Sequence, residues 1–282
     1  CKDDERLESF QLPDFINTMV ENKWLGSKTG QGFYKKNVSA EGKKEILTLD
    51  LNTLEYRSAQ KAKFATLELT KTIDNVIDRF KVLVAGKDKA GEFYRKSFTA
   101  LFAYVSNRIP EITEELYKID DAMKAGFGWE HGPFQIWDAI GVEKGIELMK
   151  AEGLEPAAWV NDMLASGNTS FYSVKNGATC AYDIPKKTQE KIPGQDSFII
   201  LDNIRKSNEV FKNSGVVIED LGDGILNCEF RSKMNTIGGD VLAGLNKAID
   251  LAEKDFAGFV VGNQGANFSV GANIGMIFIA VG

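Results

Sequence analysis

The feature that most constrains this chain is a pattern that occurs twice. Leu12-Pro13-Asp14 opens an amphipathic helix through Phe15, Ile16, Met19 and Val20, and the Gly26-Ser27-Lys28-Thr29-Gly30-Gln31-Gly32 run behind it demands tight turns. The six residues Phe15-Ile16-Asn17-Thr18-Met19-Val20 are echoed by Trp159-Val160-Asn161-Asp162-Met163-Leu164. Both are followed by Gly-containing segments ending in an aromatic, Gly32-Phe33-Tyr34 in one and Gly177-Ala178-Thr179-Cys180-Ala181-Tyr182 in the other. The repeat implies that the sequence opens in the tail of one helical unit and then holds a complete second copy.

Between the echoes, Glu45-Ile46-Leu47-Thr48-Leu49-Asp50-Leu51 alternates at period two, as a half-buried strand does. From Thr66 to Lys150 the period is helical. Phe98, Leu101, Phe102, Val105, Ile109, Ile112 and Leu116 form one apolar face over about five turns, with a kink expected at Pro110. A second helical stretch carries Ile136, Trp137, Ile140, Ile146 and Met149. Two prolines and several charges in residues 184–194 read as a linker.

After it the pattern changes. Val216–Leu221 and Ile225–Phe230 flank Gly222-Asp223-Gly224 as a hairpin. A helix capped near Asn235 or Thr236 follows, with Val241, Leu242, Leu245, Ala248, Ile249 and Ala252 on one face, and then Phe259-Val260-Val261 as a buried strand. Strand, strand, helix, strand describes a separate α/β domain.

The chemistry is narrowed by composition. The 282 residues carry 34 basic and 40 acidic side chains, a net charge of -6, with 43% hydrophobic residues. That balance indicates neither disorder nor a nucleic-acid-binding surface. Cys1, Cys180 and Cys228 are far apart and form no zinc or disulfide pattern, which fits a reducing, cytoplasmic setting. The charged N-terminus is no signal peptide, and no apolar run has the roughly 20 residues needed for membrane insertion. The absence of an initiator Met and the apolar run Gly275–Gly282 are read as marks of a piece of a longer polypeptide.

No metal site is expected, and no Gly-x-Gly pair extends to the dinucleotide fingerprint G-x-G-x-x-G: the third position is Lys35, His131 or Asn227. Gly26-Ser27-Lys28-Thr29 reads as a turn rather than a phosphate loop. His131, the only histidine, could act as a base if Glu130 or Asp138 oriented it, but its Gly-Pro surroundings favour a turn. Asn107-Arg108 interrupts an apolar helix face, either to present an amide to a substrate or to satisfy backbone beside Pro110. Gly265–Asn273 is rich in small residues after a strand, where consecutive N–H groups can approach a ligand and stabilise an oxyanion.

Three segments resemble the C-terminal helical domain of 3-hydroxyacyl-CoA dehydrogenases: Leu25–Tyr34, Asn107-Arg108, and Gly132-Pro133-Phe134-Gln135-Ile136-Trp137-Asp138-Ala139-Ile140-Gly141. Residues 197–282 are similar to the start of the enoyl-CoA hydratase (crotonase) family, through the hairpin, Lys233-Met234-Asn235 and Phe268-Ser269-Val270-Gly271-Ala272-Asn273. The resemblance implies a mainly α-helical dehydrogenase C-terminal domain followed by an incomplete α/β crotonase-like domain. Its divisions are the tail of a first helical domain (1–36), a connector with a short β segment (37–65), a second helical domain (66–183), a linker (184–196) and the truncated crotonase-like part (197–282). The parent would be a cytoplasmic β-oxidation enzyme that oxidises 3-hydroxyacyl-CoA with NAD and hydrates enoyl-CoA.

In the hydratase family the N–H matching Ala272 is half of the oxyanion hole, and Phe268, Ser269 and Gly271 lie along the CoA thioester substrate. Asn273 stands where that family usually has Asp. Asn107 matches a substrate-contacting Asn of the dehydrogenase. The resemblance places the NAD-binding domain and the rest of the crotonase domain outside these residues, leaving the isolated segment inactive. The competing reading is a non-catalytic helical packing or dimerisation module, with a homo-oligomer as its consequence.

Overall fold

The computed structural model describes residues 3–38 and 42–281. Cys1 and Gly282, on which the reading of the two chain ends drew, lie outside them, as do the side chains of Ile279, Ala280 and Val281. In chain order the elements are α1 (Asp14–Glu21), β1 (Tyr34–Val38), β2 (Lys44–Leu49), β3 (Tyr56–Ser58), α2 (Ala65–Thr70), α3 (Val76–Ala85), α4 (Lys89–Ile112), α5 (Leu116–Phe127), α6 (Pro133–Ile140), α7 (Val142–Ala151), α8 (Ala158–Ala165), β4 (Tyr172–Lys175), β5 (Ala178–Asp183), β6 (Thr188–Lys191), α9 (Leu201–Asn208), β7 (Glu209–Lys212), β8 (Val216–Asp220), β9 (Ile225–Phe230), α10 (Gly239–Asp255), β10 (Gly258–Val260) and α11 (Ile274–Val281). They group into two compact units, Cys1–Arg108 with Ala139–Ala157, and Ile109–Asp138 with Ala158–Gly282.

The first unit holds α1, the antiparallel sheet β1-β2-β3, α2, α3, most of α4, and α7. Asp88 fixes the start of α4: its carboxylate accepts from the Thr66 amide (2.9 Å), the Thr66 hydroxyl (2.8 Å) and the Gly91 amide (3.0 Å). Those bonds hold its pKa down at about 2. The long apolar face expected from Phe98 to Leu116 is broken. Pro110 has no N–H to give the Ser106 carbonyl, α4 ends two residues later, and Leu116 opens a new helix in the second unit. Phe98 and Phe102 stack within α4, with ring centroids 6.0 Å apart.

The second unit contains α5, α6, α8 with the antiparallel sheet β4-β5-β6, and a four-stranded sheet in the order β10-β9-β8-β7. Residues 184–196, expected as a linker, carry β6, which pairs with β5 from Asp183↔Thr188 to Cys180↔Lys191. Its sequence Thr-Gln-Glu-Lys is polar because it is an edge strand. The hairpin β8–β9 pairs antiparallel from Val216↔Phe230 to Asp220↔Leu226, and β10 adds in parallel to β9 after the α10 crossover. Val216, Ile218, Leu226, Cys228 and Phe230 pack on Val241 and Ala248 of α10. β10 is an edge strand with Val260 47% exposed, so the strand expected at 259–261 starts one residue earlier and is not fully buried. α9 and β7 have no counterpart in the sequence reading.

The internal echo is structural. Both α1 and α8 end in the same six-to-one cap: Trp24 N–H donates to Met19 C=O (2.8 Å) and Asn168 N–H to Met163 C=O (3.1 Å), across left-handed Lys23 (φ 58) and Gly167 (φ 86). Each helix is then followed by a three-stranded meander. The aromatic partner is corrected, however. Leu49 N–H donates to Phe33 C=O (2.9 Å) as Tyr182 N–H does to Phe171 C=O (2.8 Å), so Gly32-Phe33-Tyr34 corresponds to Ser170-Phe171-Tyr172 and not to residues 177–182.

Candidate functional site

The residues singled out in 268–273 are assembled by a lattice of side-chain amides and backbone in the second unit. Asn263 holds both ends of the approach, its Oδ1 accepting from Phe230 N–H (2.7 Å) and its Nδ2 donating to Phe268 C=O (2.7 Å). Asn235 Nδ2 donates to Asn267 C=O (3.0 Å), and Ser269 Oγ donates to Asn235 C=O (2.6 Å) while accepting from Gly271 N–H (3.0 Å). The Phe268 ring is 59% exposed and sits 6.1 Å from Phe230.

A single parallel bridge then decides the orientation of Ala272. Ile237 N–H donates to Gly271 C=O (2.8 Å), and Asn273 N–H donates to Ile237 C=O (2.9 Å). The residue between these two bonds turns its own N–H and C=O away from Ile237. Gly271 permits this at φ +90, a conformation costly for any side chain. Ala272 lines an open cleft of about 530 Å³, together with Lys233, Thr236, Gly239, Asp240 and Met276. Asn273 Oδ1 accepts from Met276 N–H (3.3 Å) at the start of α11, so Asn serves there as a helix cap without needing a carboxylate.

The helix cap expected near Asn235 or Thr236 is not formed. Met234 and Asn235 take left-handed backbone (φ 54 and 55) in a short turn at Lys233–Asn235, and α10 starts only at Gly239, whose N–H faces Met276 Sδ at 3.5 Å. Those residues shape the cleft instead.

Asn107 belongs to the first unit and the 268–273 cluster to the second. The Asn107 Nδ2 donates to Ala103 C=O (3.0 Å), four residues back on α4, the backbone-satisfying alternative. His131 is half-buried, and burial lowers its pKa below the ordinary imidazole value. Asp138 does not orient it. Both Asp138 oxygens are engaged at 2.8 Å by the Phe171 and Tyr172 amides. Asp120, which the sequence reading passed over, accepts from the Phe134 amide (2.9 Å), the Gln135 amide (3.0 Å) and the Tyr172 hydroxyl (2.8 Å), capping α6 from α5. Burial pushes Asp120 up to about 6 and Asp138 up to about 7. Gly132 is required by this arrangement, because a Cβ there would fall 2.3 Å from the Asp120 Cα.

A nicotinamide dinucleotide does not fit the described residues. Gly30-x-Gly32 lies in a turn leading to β1, Gly126-x-Gly128 ends α5, and Gly222-x-Gly224 joins β8 to β9, so none makes a strand-to-helix phosphate turn. Among the described residues no group of three or more His, Cys, Asp or Glu could hold a metal ion, and no helix is long and apolar enough to cross a membrane.

Known proteins are similar to this chain in sequence. Over 280 residues, 99% of the chain, it is 39% identical to the "Probable 3-hydroxyacyl-CoA dehydrogenase" of Bacillus subtilis. It is 25% identical to proteins of Rickettsia felis and Rickettsia prowazekii, each named "Putative fatty acid oxidation complex trifunctional enzyme", over 93% and 98% of the chain. The chain spans about a third of the length of these curated relatives, 35%, 32% and 34% in turn. No family model and no solved structure matches it.

Proposed function

We propose that this chain is the central part of a β-oxidation enzyme that oxidises 3-hydroxyacyl-CoA with NAD and hydrates enoyl-CoA, and that its own chemical contribution is the Ala272 N–H. The observation that carries the proposal is the Ile237 bridge, which commits the backbone on both sides of Ala272 and turns the amide of this cleft-lining residue away from Ile237. In the hydration step this N–H would donate a hydrogen bond to the thioester oxygen as negative charge develops on it, with Phe268, Ser269 and Gly271 along the CoA. A fixed amide costs no reorganisation as that charge grows. The names of the relatives support the pathway. The dehydrogenase step is assigned to NAD-binding residues outside this chain.

For the helical part, a packing role is favoured by one observation: the Asn107 amide is spent on its own helix. In the full-length enzyme, Ala272→Gly keeps the donor and much of the hydratase activity. Ala272→Pro removes it and lowers turnover of a short enoyl-CoA about a hundredfold or more, with dehydrogenase activity intact. Near-normal hydration by a folded Pro variant would reduce Ala272 to part of a connecting turn.

A further inference from the structure

The sequence of α9, Leu201-Asp202-Asn203-Ile204-Arg205-Lys206-Ser207-Asn208, gives it almost no apolar face, and Leu201 is its one buried residue. Apolar burial is non-directional and tolerates sliding, whereas hydrogen bonds fix distance and angle, so the bonding partners of α9 define its role. Within the second unit these partners are the β4-β5-β6 meander, the four-stranded sheet and the segment before Phe268. On the meander, Asn203 Nδ2 donates to Gly177 C=O (3.2 Å) and Thr179 Oγ1 (2.9 Å). Gly177 closes the β4–β5 turn behind Asn176, both in left-handed backbone (φ 75 and 50), and a Cβ on it would come within 3.3 Å of Ile204 Cγ2. On the sheet, Arg205 holds buried Glu229 of β9 through Nε and Nη2, and Asn208 Nδ2 donates to Asp220 C=O (2.8 Å) at the end of β8. At the head of the helix, Gln264 Oε1 accepts from Leu201 N–H (2.7 Å), a donor with no partner inside the helix, and Gln264 Nε2 donates to Ile199 C=O (2.6 Å).

We propose that α9 is a strut that positions residues 263–273 from the β4–β5 turn, with Asn203 and Gln264 as the positioning residues. Asn203 stands two residues after Leu201, so the bond to the turn fixes the same first helical turn that Gln264 grips. Gln264 in turn follows Asn263, whose side chain carries Phe268 C=O and Phe230 N–H. The root of the segment is thus clamped by consecutive side chains to two different elements, Asn263 to β9 and Gln264 to α9, and releasing either lets it swing about the other. Neither Asn203 nor Gln264 lines the cleft beside Ala272, so neither acts by touching what enters it. The consequence for hydration rests on the reading of Ala272 as an oxyanion donor; the positioning itself does not.

The test uses the full-length enzyme carrying Asn203→Ala, Gln264→Ala or both, and reads amide hydrogen exchange beside hydration of a short enoyl-CoA. Exchange at Gly271 and Asn273, whose N–H groups donate to Ser269 Oγ and Ile237 C=O, should quicken about fivefold in each single variant, the scale of one lost hydrogen bond. Unchanged exchange at paired Ile218 and Cys228 shows that the sheet is folded. The kcat for hydration should fall by about the same factor with KM little changed. The double variant should be no worse than Gln264→Ala alone, because Asn203 acts through Gln264. Lys175→Ala, an exposed change beside the same turn, should leave exchange and kcat as they are. Unchanged exchange at Gly271 and Asn273 in a folded Asn203→Ala enzyme would overturn the proposal, as would losses that multiply in the double variant or equal effects from Lys175→Ala. Faster exchange with unaltered hydration would leave the strut standing while the oxyanion role of Ala272 falls.

Discussion

Asp138→Asn is expected to gain stability relative to the natural protein as pH rises from 5 to 8, although it removes a carboxylate bound to two amides. Burial raises the Asp138 pKa from 3.8 to about 7, with nearby Asp120 pushing the same way. The folded state therefore binds the proton more tightly than the unfolded chain. Its stabilising contribution is complete below about pH 4 and is lost as pH rises through 7. At about 1.4 kcal/mol per unit, the whole shift is worth about 4 kcal/mol, and the part falling between pH 5 and 8 is about 3 kcal/mol. Asparagine is a neutral near-isostere of the protonated acid and shows none of this dependence. Relative to the natural protein the variant should thus gain about 3 kcal/mol between pH 5 and pH 8, starting at pH 5 from a deficit of about 1–3 kcal/mol set by the one N–H that the Asn amide nitrogen leaves unpaired. Urea unfolding followed by tryptophan fluorescence suits the measurement, since buried Trp137 lies beside Asp138. If instead the two amides hold the carboxylate ionised, the variant will lose about 1–3 kcal/mol at pH 8 by leaving one N–H unpaired. That outcome, or parallel pH profiles, refutes the reasoning.

Gly244→Ala in α10, a change that usually stabilises a helix by about 1 kcal/mol, should destabilise here, because the added Cβ would lie 2.2 Å from Val216 Cγ2 and overpacking costs about 1–3 kcal/mol. A lower urea midpoint at unchanged slope is the check. Arg205→Ala should cost about 3 kcal/mol or more, since Arg205 pairs with Glu229 at 3.0 Å through both Nε and Nη2, and removing it takes the cation from buried Glu219 and leaves buried Glu229 with Arg231 alone, at 3.3 Å. A double-mutant cycle with Glu229→Gln should return a coupling well above the 0.2–1 kcal/mol or so typical of exposed pairs.

What was legible in the sequence was what periodicity and turn chemistry encode. The β8–β9 hairpin was marked by Gly222-Asp223-Gly224 between two largely apolar runs, and α10 by its apolar face. The echo of α1 in α8 was visible because a helix and its cap repeat at fixed spacing. Loop lengths differ after the cap, so spacing alone misaligned Tyr34 with Tyr182, and only the hydrogen bonds to Phe33 and Phe171 restore the match. β6 and β7 are short, polar edge strands whose partners, not their sequences, define them. Asp120 and Asp138 were hidden for the opposite reason. Their acceptors' donors lie 14 or 15 and 33 or 34 residues away along the chain, and an acidic residue on a helix reads as solvated until the fold closes over it.

The same distinction governs the candidate site. A catalytic side chain is named by its residue type, whereas a backbone donor has none, and Ala272 can be recognised only through what its neighbours do. Its amide is available because Gly271 and Asn273 are both bonded to Ile237, and that bridge exists because Ser269 and Asn235 bring the 268–273 segment against the turn before α10. The proposed function of the donor therefore depends on residues other than Ala272 itself. Ser269→Ala removes the hydroxyl joining Asn235 C=O to Gly271 N–H, and it should weaken hydration without changing the Ala272 amide itself. Loosening the bridge lets the donor wander from the reacting oxygen, which costs turnover more than binding. A Ser269→Ala enzyme with lowered kcat and little-changed KM fits this account. A variant with unaltered kcat would mean that Gly271 and Ile237 set the donor's position without help.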